Sequence, residues 1–101
     1  MDLKIAGKTA LVTGSTAGIG FAIAKTLAEN GARVIVNGRT AASVDQAIAK
    51  LSERVSSNLL QGCAADLSNA AGVQKLLDAH GDVDILVNNA GITRDAPFHK
   101  M

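Results

Sequence analysis

Along the chain, short continuous apolar runs alternate with stretches in which apolar residues recur every third or fourth position. The first pattern predicts strands covered on both faces, and the second predicts amphipathic helices. Thr9 to Thr13 is the first such run. A helix is expected from about Gly18 to Asn30, where Ile19, Ile23 and Leu27 share a stripe with Ala22 and Ala24 beside them. Gly31 is a natural terminator for it. Arg33 to Asn37 reads as a second strand, since Val34, Ile35 and Val36 are all β-branched. Between Thr40 and about Arg54, the residues Ala41, Val44, Ile48, Leu51 and Val55 mark a second helix. Ser43 with Gln46 has the spacing of a capping box, and Thr40 is the alternative cap. Leu59 to Ala64 is the third strand. A third helix follows a Ser68 or Asn69 cap, turns Val73, Leu76 and Leu77 inward and ends near His80-Gly81. Asp84 to Asn88 is the fourth strand, and residues 92–101 read as a loop or an incomplete next helix.

The order is therefore βαβαβαβ, the pattern of an α/β domain with a doubly wound parallel sheet. Right-handed crossovers and short loops favour the strand order 3-2-1-4. That order places a topological switch beside the first strand, and ligands of open α/β sheets bind at the carboxyl ends of strands there. The segment Gly14-Ser15-Thr16-Ala17-Gly18-Ile19-Gly20 lies at that spot. Its glycines permit a tight turn and close approach of another molecule to bare amides. The helix that follows directs its unpaired N–H groups and positive dipole end into the turn, which suits a phosphate.

The spacing Gly14-x-x-x-Gly18-x-Gly20 differs from the GxGxxG of ordinary dinucleotide folds, and Phe21 stands where a P-loop requires lysine. Gly14-Ser15-Thr16-Ala17-Gly18 matches the outline of a nucleophile elbow with threonine at the nucleophile position. No Asp-then-His pair follows in the order that chemistry needs. The plain structural alternative is a glycine turn that only packs helix on strand.

Composition narrows the function classes. The 101 residues carry a formal net charge of +1, 48% hydrophobic residues and 2% aromatics, with no Trp or Tyr. Neither a basic block nor a stacking platform is present, so no nucleic-acid partner is expected. No apolar run reaches membrane-spanning length, so no membrane partner is expected. The single cysteine, Cys63, excludes an internal disulfide and points to a cytoplasmic setting; in its strand it reads as a small buried hydrophobe. His80 and His99 have no companions at metal-ligand spacing, and no metal site is expected.

Thr13-Gly14-x-x-x-Gly18-Ile19-Gly20, then Asp66-Leu67, then Asn88-Asn89-Ala90-Gly91 resembles the N-terminal part of the short-chain dehydrogenase/reductase family. The segments Gly91 to Asp95 and Phe98 to Met101 resemble most its ketoacyl and acetoacetyl thioester reductases. The resemblance implies a Rossmann-type sheet and a single, partial NAD(P)-binding domain over residues 1–101. It implies that Gly14, Ser15, Thr16, Gly18, Ile19 and Gly20 wrap the adenosine ribose and pyrophosphate. Asp66 would accept a hydrogen bond from the adenine amino group, with Leu67 beside the ring, and Asn88, Ala90 and Gly91 would line the cofactor ribose. NAD-specific members carry an acid at the end of the second strand, where this chain has Gly38. An acid there would repel a 2′-phosphate by on the order of 1–4 kcal/mol. Its absence, with Arg39 next and Ser15 or Thr40 at hand, favours NADP(H) over NAD(H). Arg39 reads otherwise as a solvated surface charge.

The family's chemistry is hydride transfer between a nicotinamide and a carbonyl or alcohol. Its serine and Tyr-x-x-x-Lys residues would lie beyond Met101, because the chain has no tyrosine. The expectation is the cofactor-binding part of a reductase, catalytically incomplete alone, with a non-enzymatic nucleotide-binding or interaction module as the alternative. Self-association through an open sheet edge or bare helix faces is expected.

Overall fold

The computed structural model describes residues 4–89 of the chain. Ala10, Leu11 and Val12, together with Val34, Ile35 and Val36, are almost wholly withdrawn from water, as expected of strands covered on both faces. They form β1 (Thr9–Val12) and β2 (Arg33–Gly38), which pair in parallel with Leu11 opposite Ile35. β3 (Leu60–Ala64) pairs with β2, and β4 (Ile85–Val87) with β1, also in parallel. The sheet order is 3-2-1-4, as the sequence pattern predicts.

The pleat of the strands sorts their side chains to two faces. Val12, Val34 and Val36 pack with Ala24 and Ala28 of α1 (Gly18–Glu29) and with Ala47 and Leu51 of α2 (Ala41–Leu51). Leu11 and Ile35 pack on the other face with Val73 and Leu76 of α3 (Ala70–His80). Right-handed crossovers demand this division. The chain steps outward from β1 to β2 to β3 over one face and returns to β4 over the other.

Local chemistry sets the helix starts. Thr40 caps α2, its hydroxyl oxygen accepting from the Ser43 amide at 3.1 Å, so the Ser43–Gln46 box is not used. Asn69 caps α3 by accepting from the Gly72 amide at 2.7 Å, while Ser68 turns to Asp66 instead. Asn30 closes α1, and Gly31 beyond it has φ +92°, a conformation open to glycine at no steric penalty. A short 3₁₀ turn, Ser57–Leu59, precedes β3 and takes Leu59, which the sequence pattern placed at the start of the third strand.

The buried stripes of two helices differ in part from expectation. The fully buried face of α1 is Gly20, Ala24 and Ala28; of the stripe Ile19, Ile23 and Leu27, the last two pack against the same core while Ile19 does not. Ile19 is 73% exposed, and Ile23 and Leu27 lie half-buried at the helix flank. Small side chains let the helix lie close on the sheet, and the larger ones are displaced to its side. With Ala22 and Thr26 they line a shallow, largely apolar groove. The stripe of α2 is likewise Val44, Ala47 and Leu51, with Ile48 half-buried and Ala41 exposed.

Ala24 is 0% exposed, so Ala24→Leu overpacks the interface and should destabilise the fold by about 1–3 kcal/mol. Ile19→Ala should stay within about 0.5 kcal/mol of the wild type. Urea denaturation followed by circular dichroism checks both, and the opposite ranking would mean that Ile19 faces the sheet.

Candidate functional site

The strands end together, and beyond their carboxyl ends polar side chains take over from the backbone ladder. Thr13 continues β1, its amide donating to the Val87 carbonyl at 3.0 Å. Its hydroxyl oxygen accepts from the Asn89 amide at 2.8 Å and faces the Asn88 side-chain carbonyl at 3.3 Å. The Asn89 side-chain amide donates to the Gly14 carbonyl at 3.3 Å. These bonds join the Asn88-Asn89 pair after β4 to the glycine turn after β1.

The turn itself is built on positive φ at Gly14 (+59°) and Gly18 (+62°). The two are placed differently. A methyl group on Gly18 would meet open space, whereas one on Gly20 would run into the Gly14 carbonyl and the Asn89 side chain. Gly20 lets the helix close onto the turn, and Gly18 leaves the mouth of the turn bare. Ala17, the N-cap of α1, offers no side-chain bond to the first turn, unlike Thr40 and Asn69 at the other two helices. The leading amides of α1 therefore face outward with the helix dipole behind them.

Ser15 lies differently from a ligand-facing residue. It is 0% exposed, its hydroxyl donates to the Val12 carbonyl at 2.7 Å, and it accepts from the Asn37 amide at 2.9 Å. Its hydroxyl is part of the floor of the turn. Thr16 is half-buried and stands over Gly38, where any side chain would strike its methyl group as well as Ser43 and Val44. Arg39 follows, exposed. Asp66 stands after β3, and its carboxylate accepts from the Ser68 hydroxyl at 2.7 Å and the Ser68 amide at 3.0 Å. Those bonds hold its pKa below the ordinary carboxylate range, with the nearby Arg39 charge acting the same way against a small desolvation. Leu67 is buried with Leu11 and Ile35. Burial pushes the Cys63 thiol up, with Lys75 partly opposing, so it is a packed and unreactive group.

The structure thus gathers Gly14, Thr16, Gly18, Ile19, Gly20, Arg39, Asp66 and Asn88 around the carboxyl ends of the strands, with Ser15 and Leu67 beneath them. Ala90 and Gly91 lie outside the described residues. Asn37 was not singled out by the sequence pattern, yet its side chain makes three bonds that reach the ends of both neighbouring strands, β1 and β3. An asparagine in a strand's apolar run, where β propensity disfavours it, was the available signal.

A family model described as short chain dehydrogenase matches residues 8–101. The chain belongs to the short chain dehydrogenase family. Within it, the chain is 50% identical to the uncharacterized oxidoreductase YvaG of Bacillus subtilis, over 97% of this chain and 37% of that protein. It is 44% identical to the acetoacetyl-CoA reductase of Paracoccus denitrificans, over 93% of this chain and 38% of the relative. Among solved structures, L-sorbose reductase from Gluconobacter frateurii, complexed with NADPH and L-sorbose, superposes with a TM-score of 0.75 at 37% identity. That likeness covers 90% of this chain and 36% of the other. The chain therefore spans less than half the length of these relatives.

The short chain dehydrogenase family binds a nicotinamide dinucleotide, and the residues here fit such a group. The open space at Gly18 and the uncapped amides of α1 suit a phosphate, and the Asp66 carboxylate stands at the neighbouring strand end as a further acceptor. Among the described residues, no cluster of three or more His, Cys, Asp or Glu is placed to hold a metal ion. No helix among them is long and apolar enough to cross a membrane.

Because the folded pKa of Asp66 is depressed, its ionised form contributes fully above the unfolded carboxylate pKa of about 3.9. That contribution is lost as pH falls through the lower folded value. Ser68→Ala removes the leading cause and should raise the Asp66 pKa toward the ordinary range. A carbon-detected NMR titration of the carboxyl measures this, and an unmoved titration would show that Ser68 does not hold the charge.

Proposed function

We propose that the chain is the NADP(H)-binding part of a short chain dehydrogenase that transfers hydride between nicotinamide and a carbonyl or alcohol. The observation that carries the NADP(H) reading is the glycine at position 38 in crowded surroundings. Gly38 has no side chain, and a Cβ there would crowd Thr16, Ser43 and Val44, so no carboxylate stands against a 2′-phosphate. Arg39 beside it is exposed and supplies a planar set of donors. Gly14, Thr16, Gly18, Ile19 and Gly20 then hold the ribose and diphosphate, Ser15 supports the turn, and Asp66 and Leu67 form the adenine side. Asn88, Ala90 and Gly91 complete the ribose wall. When bound, the dinucleotide supplies the hydride chemistry, and these residues bind and orient it.

The 101 residues contain no tyrosine, so the family's usual acid–base residue is not among them. This stretch alone should not turn over substrate. Comparable identity to a thioester reductase and to a sugar reductase supports a segment that serves the cofactor rather than the choice of substrate. A cytoplasmic setting is proposed on the single buried thiol.

Calorimetric titration with NADPH and NADH tests the reading, since the chain has no Trp or Tyr to report binding by fluorescence. Arg39→Ala should weaken NADPH about tenfold and leave NADH unchanged, the effect of losing charge-assisted bonds to one phosphate. Equal affinity for both nucleotides in the wild type would overturn the NADP(H) assignment. Absence of binding by a folded chain would overturn the site.

We also infer self-association through the flank of α1 and the β4 margin, supported by the apolar groove of Ala22, Ile23 and Leu27 and the exposure of Leu86. Sedimentation should show a concentration-dependent dimer that Ala22→Glu, which puts a charge in the groove, shifts toward monomer. A dimer indifferent to that change would place the contact elsewhere.

A further inference from the structure

We propose that Asn37 is a positioning residue that couples the phosphate end of the nucleotide site to its adenine end. The inference rests on the reading that this site holds a dinucleotide.

Asn37 is 1% exposed and carries a complete set of bonds. Its side-chain oxygen accepts from the Gly14 amide at 3.0 Å. Its side-chain nitrogen donates to the carbonyls of Cys63 at 3.1 Å and Ala65 at 3.3 Å. Its backbone amide donates to the Ser15 hydroxyl, and its carbonyl accepts from the Ser15 amide, both at 2.9 Å. The chemistry fixes the amide orientation. An N–H on one side requires the oxygen, and two carbonyls on the other require the nitrogen.

No other standard side chain of this length offers one acceptor and two donors from a single planar group without a charge. Gly14 opens the phosphate turn at positive φ, and Ala65 immediately precedes Asp66 and Leu67. The two halves of the site belong to loops after β1 and β3, which are not neighbours in the sheet. β2 lies between them, and Asn37 at its end ties both loops. Replacement of Asn37 lets each loop settle alone, so that a ligand reaching both must bring them into register on binding.

Two measurements on the 101-residue chain test this. The first is amide hydrogen exchange without ligand, read at Gly14, which bonds Asn37, and at Ala65, whose amide donates to the Gly38 carbonyl at 2.9 Å. Asn37→Ala should speed exchange at both by about tenfold or more, since it removes one hydrogen bond at the Gly14 end and two at the Cys63–Ala65 end. Asn37→Asp, measured at pH 7, keeps an acceptor for Gly14 but turns an oxygen toward the Cys63 and Ala65 carbonyls. It should speed Ala65 while Gly14 stays protected, an asymmetry that general loosening of the fold would not give.

The second measurement is NADPH affinity in a double-mutant cycle with Asp66→Ala. Asn37→Ala should weaken NADPH about tenfold, and the further loss from Asp66→Ala should be smaller than in the wild-type background. Additive losses, or wild-type exchange at Gly14 and Ala65 in a folded variant, would overturn the proposal. If Asn37→Ala does not fold, Asn37→Asp decides by the same two readouts. A wild type that binds no NADPH refutes the nucleotide reading and, with it, the coupling, whereas altered exchange alone would leave Asn37 as a structural tie only.

Discussion

The structure depends on how the strand ends are tied once the ladder stops. A parallel sheet leaves its last amides and carbonyls facing the same edge, and buried ones need partners. Here Asn37, Ser15 and Thr13 supply them, joining the loops after all four strands by bonds of 2.7–3.3 Å, from Ser15–Val12 to the contacts at Ala65 and Asn89. The described residues hold no buried side-chain nitrogen or oxygen without a partner. A fully satisfied polar network of this kind favours one arrangement of the loops over its neighbours. The same bonds that finish the sheet thereby shape the mouth of the site.

The glycine turn exploits that rigidity. Gly20 closes α1 onto the Gly14 carbonyl, and Ala24 and Ala28 continue the close approach along the helix. The helix start is thus held over the end of β1 without a capping side chain of its own. Its leading amides are left without a capping side chain, where α2 and α3 spend theirs on Thr40 and Asn69. At the neighbouring position, Gly38 has no side chain and Thr16 crowds the space above it, so the charge offered at that rim is the one on Arg39.

Much of this was legible in the chain. The β-branched run of β2 and the apolar runs of β1 and β4 gave the strands, and the crossover rule then left little freedom in their order. The first two motif segments and Asn88-Asn89 of the third lie at the strand ends, where the pattern placed them. The face of α1 was misread in part because two stripes at the same spacing compete, Ile19-Ile23-Leu27 and Gly20-Ala24-Ala28. Hydrophobicity favours the first. Closeness to the sheet favours the second, and distance of approach is not written in periodicity. Ser15 poses a similar ambiguity, since a hydroxyl in a glycine turn has the same letter whether it faces a ligand or, as here, donates to Val12.

The sequence by itself determined the alternation of elements, the strand order and the place of the glycine turn. These follow from local spacing, turn residues and the handedness of L-amino acids, which act over a few residues at a time. The tertiary structure decided which side of α1 meets the sheet, which hydroxyls are committed inward, and that Asn37 links Gly14 to Cys63 and Ala65, 23 to 28 positions along the chain. Such choices depend on how closely packed surfaces approach and on which buried donors lack acceptors. Both are properties of the assembled sheet and not of any segment within it.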